Sequence, residues 1–306
     1  MIAKKWTLGL VERTVGRKRR KLVEELDEFE INRLKTSSND KIIKLNVLLL
    51  EIRDFMSDFQ FLVFGRDFTL LKNTVPITGN RILDSASRTI ESMRNCCLNA
   101  NFADAYTLLR KYRDDIFFYV YILAGEKSLD NMQREQKNKF EDNICDWINN
   151  QLNNLYVSDV FKIIFKVKDV QKTIKKYNLQ NAMSKMRDRL NNYVHSNGRS
   201  YYNCSFDIMD MNGEIGNKCN EFTEAITFIT MTFLVIIIMV NPILIMSSDY
   251  VDCLEVNYEE FKNVVIPIEG KQYLVPPFVS EFIVKHKGVL DEKVDEYIRN
   301  MTGMQV

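Results

Sequence analysis

Between Ala225 and Met246 the chain runs for 22 residues without a charge, AITFITMTFLVIIIMVNPILIM. A stretch this long and apolar has two ways to fold. It can cross a bilayer, which takes about 20 such residues, or it can be a helix sheathed on all sides by protein. The run holds Thr227, Thr230, Thr232, Asn241 and Pro242. Its flanks carry neither a Trp/Tyr belt nor a one-sided set of Lys and Arg: Lys218 stands on one side, Ser247-Ser248-Asp249-Tyr250 on the other. Those flanks favour the buried helix, with a membrane anchor at 225–246 as the alternative.

A buried helix needs a large core around it. Apolar residues make up 46% of the 306 and charged residues 27%, with 42 Lys and Arg against 41 Asp and Glu. That balance suits a globular chain and excludes a wholly disordered one. Only 11 Gly and 5 Pro are present. So few turn formers argue against a many-stranded β fold and against the Gly-rich turns of nucleotide-binding α/β folds. The expected fold class is all-α, a helical bundle with a charged N-terminal helix and a partly extended C-terminal tail.

Three parts are expected along the chain. Residues 1–80 form an N-terminal helical segment. Its basic run Arg17-Lys18-Arg19-Arg20-Lys21 is followed by Glu24, Glu25, Asp27, Glu28 and Glu30, as on a solvated helix with internal ion pairs; a phosphate-binding patch is the other reading. Apolar residues at three- and four-residue steps predict a helix over 41–64. Residues 81–250 form the bundle core. It includes a long helical stretch over 81–124, broken near Asn99-Ala100-Asn101 and ending in the all-apolar run Ile116 to Leu123, and further helical periods through 127–155 and 157–195. Residues 196–220 read as loop. Residues 251–306 read as an extension packed on the bundle: extended chain with a hairpin around Glu269-Gly270-Lys271, then a final helix near 290–301. His286, between Lys285 and Lys287, reads as exposed at a helix end.

Several chemistries are unsupported. The chain lacks a G-x-x-x-x-G-K-[ST] loop, a G-x-G-x-x-G turn, an H-E-x-x-H pair and a G-x-S-x-G elbow, which argues against P-loop NTPases, Rossmann oxidoreductases, zincins and α/β-hydrolases. Six cysteines are scattered without a C-x-x-C pair, and the only histidines are His195 and His286. No metal site and no cofactor is expected. The cysteines read as reduced thiols and the N-terminus has no secretory pattern, so a cytoplasmic location is expected.

One stretch is unbalanced in charge. From Lys162 to Arg189 there are nine basic residues and two acidic ones. Lys168, Lys172, Lys175 and Lys176 share a helical face, and Lys185 and Arg187 follow. These six are the candidate RNA-binding residues, since Lys and Arg supply the phosphate contacts of nucleic-acid binding. The stretch runs directly into Arg187-Asp188-Arg189-Leu190-Asn191-Asn192-Tyr193-Val194-His195-Ser196-Asn197-Gly198.

The pairing Arg189-x5-His195 resembles the R-x(4–6)-H signature of the HEPN superfamily of small all-α bundles. The segment Ala103-Asp104-Ala105-Tyr106-Thr107-Leu108-Leu109-Arg110-Lys111-Tyr112-Arg113-Asp114-Asp115 looks like the early core helix of HEPN-like bacterial proteins. The resemblance covers roughly residues 81–246. It implies a bacterial defence- or toxin-type protein, a metal-independent endoribonuclease with its site in a homodimer groove, RNA as substrate, and a cognate antitoxin or defence partner.

The chemistry asks for those residue types. A histidine titrates near neutrality and can take and return the proton of a ribose hydroxyl. A guanidinium stays charged and clamps phosphate oxygens. His195 is thus the candidate base, Arg189 the anion stabiliser, and Asn191, one turn before His195, the residue that orients it. On one helix Arg189 and His195 point about 120° apart, so they meet only through Arg reach, a helix end, or a second chain. Arg110, Arg113 and Asp114 read as a structural ion-pair network or a second site. A non-catalytic helical sensor or scaffold that binds protein or nucleotide in the same groove is the competing function.

Overall fold

The computed structural model describes residues 34–64, 80–149, 155–198, 213–248 and 275–290, together with 66, 151, 201, 204, 251, 293–296 and 298. All regular structure among these residues is helical, as expected. The charged run at 17–30 and the hairpin expected at 269–271 lie outside the described residues, as does half of the helix expected near 290–301, of which 293–296 and 298 are helical.

Helix α1 (Asp40–Val63) starts where the Asn39 side chain accepts the Lys41 N–H at 2.9 Å, which satisfies one of the donors a helix start leaves open. It buries Ile42, Leu45, Leu49, Ile52, Met56, Phe59 and Val63. Helices α2 (Asn80–Leu98) and α3 (Phe102–Ser128) meet at the break expected near Asn99-Ala100-Asn101. The Ala100 N–H reaches Cys97 O at 2.9 Å, the Asn101 N–H reaches Cys96 O at 2.9 Å, and Ala100 has φ +52°. That is a Schellman ending, and it folds α2 back along α3.

Helix α3 is the hub. Its aromatic run points a ring at each neighbour, which is why the run has no polar face. Phe118 meets Trp147 and Tyr121 meets Phe140 on α4 (Arg134–Ile148), at 4.9 and 5.1 Å between ring centres. Phe117 meets Phe161 on α5 (Val157–Ile164) at 5.2 Å. Gly125 lies against the ring of Phe140, where a Cβ would stand 2.1 Å from Cε2. Glycine costs about 1 kcal/mol in a helix interior; here its lack of a side chain admits α4.

Helices α6 (Lys168–Lys176) and α7 (Leu179–Val194) follow. The apolar run lies in α8 (Ile215–Val240), which begins well before its uncharged part. From Ala225 to Val240 every residue but Phe228 is buried, and 83% of the most apolar window is covered by protein. α8 is long and apolar enough to cross a bilayer, but its neighbours here are α1, α3, α6 and α9 (Pro277–His286). Two of its threonines are accommodated by their own helix: Thr227 donates to Thr223 O at 2.8 Å and Thr230 to Ile226 O at 2.9 Å. With that proton committed, the Tyr112 hydroxyl is left to donate to Thr230 Oγ1 at 2.9 Å. Burial pushes the Tyr112 phenol well above its usual range, so the donor persists.

Two features of the C-terminal region differ from expectation. The Pro276-Pro277 pair opens a helix rather than sitting in extended chain: Pro276 is the cap and Pro277 the first helical residue, where a missing N–H costs nothing. His286 is buried at 8% exposure, not exposed. It packs on Phe282, one turn back, at 4.5 Å between rings, and its Nε2 lies 3.1 Å from Glu51 Oε1 on α1. Phe282 in turn stacks on Phe55 at 4.1 Å, which fastens α9 to α1.

Candidate functional site

Arg189 leaves α7 on the side facing α3 and α8. Its Nη2 donates to the Tyr106 hydroxyl at 2.7 Å and to Glu221 Oε2 at 3.0 Å. Lys218 also donates to Glu221 Oε2 at 3.0 Å. Tyr106 is sandwiched at this point: it stacks on Tyr193 at 4.1 Å and takes the edge of Phe222 at 5.0 Å. Burial raises the phenols of Tyr106 and Tyr193, with the Arg189 charge opposing, so both stay neutral hydroxyls. The cluster of two cations and one carboxylate pins α7 to α3 and α8. Within one chain, Glu221 holds the guanidinium that the phosphate-clamping role requires.

His195 is the cap residue of α7, with φ −94° and ψ 10°. The next residue, Ser196, has φ +50°. The Ser196 N–H bonds to Tyr193 O at 3.2 Å and the Asn197 N–H to Asn192 O at 2.8 Å, a second Schellman ending. The imidazole is exposed. Asn191 is half-buried, and its carbonyl accepts the His195 N–H at 3.0 Å. Neither side chain has a hydrogen-bond partner among the described residues. Arg189 turns inward to its Glu221 pair while His195 stands in solvent beyond the helix end. Among the described residues no side-chain hydrogen bond or ion pair joins Arg189, Asn191 and His195 within one chain.

The six candidate RNA-binding residues all face solvent. α6 presents Lys168, Lys172, Lys175 and Lys176 outward while Val170, Thr173 and Ile174 face inward. Lys176 lies over the Tyr177 ring at 5.0 Å. On α7, Lys185 is exposed, and Arg187 pairs with Asp188 at 2.9 Å and donates to Ser184 Oγ at 3.0 Å.

The third group, Arg110, Arg113 and Asp114, comes together on α3. Arg113 grips Asp114 side-on, Nε at 2.9 Å and Nη2 at 2.6 Å. Arg110 Nε is 3.6 Å from the other oxygen of the same carboxylate. One anion therefore serves two guanidinium groups. Arg113 is 5% exposed, and the Nη1 atoms of Arg110 and Arg113 are buried without a hydrogen-bond partner.

Arg113 borders two cavities. The first, of 320 Å³, lies between α3, α5, α7 and α8. Phe117, Phe161, Phe165, Met183, Met186 and Phe228 make most of its wall, and its charged residues, Arg113, Lys162 and Arg187, are all basic. The Thr232 hydroxyl on the same wall is buried without a partner, unlike those of Thr227 and Thr230. The second cavity, of 480 Å³, shares Arg113 and Phe117 and adds Arg81, Asp114, Asp115 and Trp147. Burial raises the Asp115 carboxyl, against its Lys111 partner.

No group of three or more His, Cys, Asp or Glu gathers among the described residues. Cys96, Cys97, Cys145, Cys204 and Cys219 are free thiols. Burial raises Cys97 and Cys204 and pushes Cys219 up to about 11, so these three are poor nucleophiles at neutral pH. Sequence reasoning missed Glu221 and Lys218, which it placed at the edge of a loop. The signal was their i, i+3 spacing directly before the apolar run. Comparison with protein-family models, with curated proteins and with solved structures returns no match for this chain.

Proposed function

We propose that this chain is a helical binding protein of the sensor or scaffold kind, with the cavity between α3, α5, α7 and α8 as its recognition site. The observation that carries the reading is that cavity's wall: aromatic and thioether side chains from four helices, with a buried arginine among them. A concave, mostly apolar site with a few fixed polar groups is what small-ligand recognition requires. Ligand-observed NMR with aromatic fragments tests it. Fragments should contact the wild type saturably and lose contact in Ser184→Trp, which fills the cavity. Equal contact with both proteins refutes the reading.

A second reading draws on His195. Its exposed imidazole ends the helix that carries Lys185 and Arg187, and an exposed imidazole is open to a second copy of the chain. In this reading the protein is a HEPN-like, metal-independent endoribonuclease active as a dimer, in phage defence or as a toxin. RNA cleavage by the purified protein in EDTA, lost in His195→Ala, is its expected result. Cleavage unchanged by that substitution ends it.

A further inference from the structure

We infer that the cavity between α3, α5, α7 and α8 binds an amphipathic organic anion: an apolar, aromatic-sized body carrying one carboxylate, sulfonate or phosphate. The inference rests on the binding reading above and adds the ligand class. Arg113 is the deciding residue. It is almost fully buried, and a buried cation is tolerated only when paired and hydrogen-bonded. Its pairing is incomplete. Asp114 satisfies Nε and Nη2 but is shared with Arg110, and Nη1 has no partner. The local count is two positive charges against one negative.

The other cations at this cavity have their own partners. Lys162 pairs with Asp159 at 2.7 Å and Arg187 with Asp188 at 2.9 Å. Among the described residues no acidic side chain lines the cavity. An anion entering it meets no repulsion from the wall and brings the missing charge to Arg113. The same cavity has a second lining residue with an orphaned polar atom: the Thr232 hydroxyl, buried and unpartnered. The rest of the wall is apolar, so the remainder of the ligand must be too. A compact polar anion would forfeit its hydration against Phe161, Phe165, Met183 and Met186.

Two fluorescent probes of one shape isolate the charge. Anilinonaphthalene sulfonate carries the anion, and N-phenylnaphthylamine is the same body without it. The sulfonate should bind saturably at one site, about tenfold or more tighter than the neutral probe, in line with a charge-assisted hydrogen bond. Arg113→Met keeps an apolar stem and leaves Asp114 to Arg110; it should abolish the preference while the neutral probe still binds. Ser184→Trp should abolish both. Circular dichroism and thermal melting check that each variant folds. If Arg113→Met does not fold, the wild-type preference and its loss in Ser184→Trp decide. Equal affinity of the wild type for the two probes overturns the anion and leaves the cavity reading standing. Failure of both probes to bind, or binding indifferent to Ser184→Trp, overturns both.

Discussion

Gly125→Ala asks whether α4 is seated on α3 as described. The added Cβ would fall 2.1 Å from Phe140 Cε2, 2.2 Å from Cζ and 2.9 Å from Cδ2. The ring would have to retreat roughly 1.4 Å to reach an ordinary carbon–carbon contact. It has little room, being 3% exposed and packed on Tyr121. Overpacking of this kind costs about 1–3 kcal/mol, and a rigid ring belongs at the upper end. Alanine returns about 1 kcal/mol of helix propensity, so the net loss should be ~2 kcal/mol. Urea unfolding reads it as a lower midpoint at constant slope. Phe140→Ala supplies the control. Alone it should cost about 3–5 kcal/mol. In its background Gly125→Ala meets no ring, and should stabilise by about 1 kcal/mol, the propensity alone. The sign of one substitution thus reverses with the presence of one side chain. If Gly125→Ala is neutral or stabilising with Phe140 intact, the α3–α4 contact is not the one described. The wall that α4 gives to the second cavity, through Trp147, would fall with it.

Three further outcomes are expected. Ser196→Gly should stabilise by about 1 kcal/mol, because a left-handed residue with a Cβ ends α7 and glycine adopts that conformation without penalty; a lower melting temperature would contradict the described helix end. Tyr112→Phe should cost about 1 kcal/mol by removing the donor to Thr230, measured by denaturant titration, and no loss would mean that the bond contributes nothing. Stability should also fall as pH drops below 6.5, the ordinary histidine value, toward the lower one of folded His286. Burial, the largest effect, depresses it and Lys285 adds to this, while Glu51 opposes. The unfolded chain then binds the proton more readily than the folded one, so folding is favoured above that window and loses ground within it. In His286→Gln the slope of stability against pH between pH 5 and 6.5 should shrink relative to wild type, and an unchanged slope refutes the assignment.

The buried character of Ala225 to Val240 was legible because an apolar run with polar flanks has few other places to go. The central place of α3 was legible for a related reason: the apolar run Ile116 to Leu123 covers nearly all sides of one helix, and only a buried helix has neighbours on all sides. Pairings across long sequence separations were not legible. Lys218 looked like loop, with Glu221 just past its edge, because Asn212-Gly213 and Gly216 precede them, yet α8 starts at Ile215 and carries Gly216 in its first turn. The fate of Arg189 depended on that start. His286 read as exposed because two lysines flank it, but a helix separates neighbours by 100°, so Lys285 and Lys287 say little about the face between them. The cavity had no sequence signature: Phe161, Met183 and Phe228 sit in ordinary helical or apolar stretches, and only their imperfect closure around Arg113 makes a cavity.

That imperfect closure bears on why an arginine is there at all. Replacing a whole buried ion pair by apolar residues is commonly neutral or stabilising, whereas removing one partner is costly. The Asp114 pair accounts for Nε and Nη2 of Arg113, but not for its buried, unpartnered Nη1. On the proposed binding reading, a cation under-paired in the free protein and bordered by apolar space has its reason in the bound state. Arg189 is the contrast within the same fold. It is half-exposed, its Nη2 is held by Tyr106 and Glu221, its other donors are not buried orphans as Nη1 of Arg113 is, and it joins three helices, so packing accounts for it without a ligand. On the proposed binding reading the two arginines exchange the roles their sequence context suggests: the one in the catalytic-looking motif fastens helices within the chain, and the one inside a core helix keeps an unpaired donor.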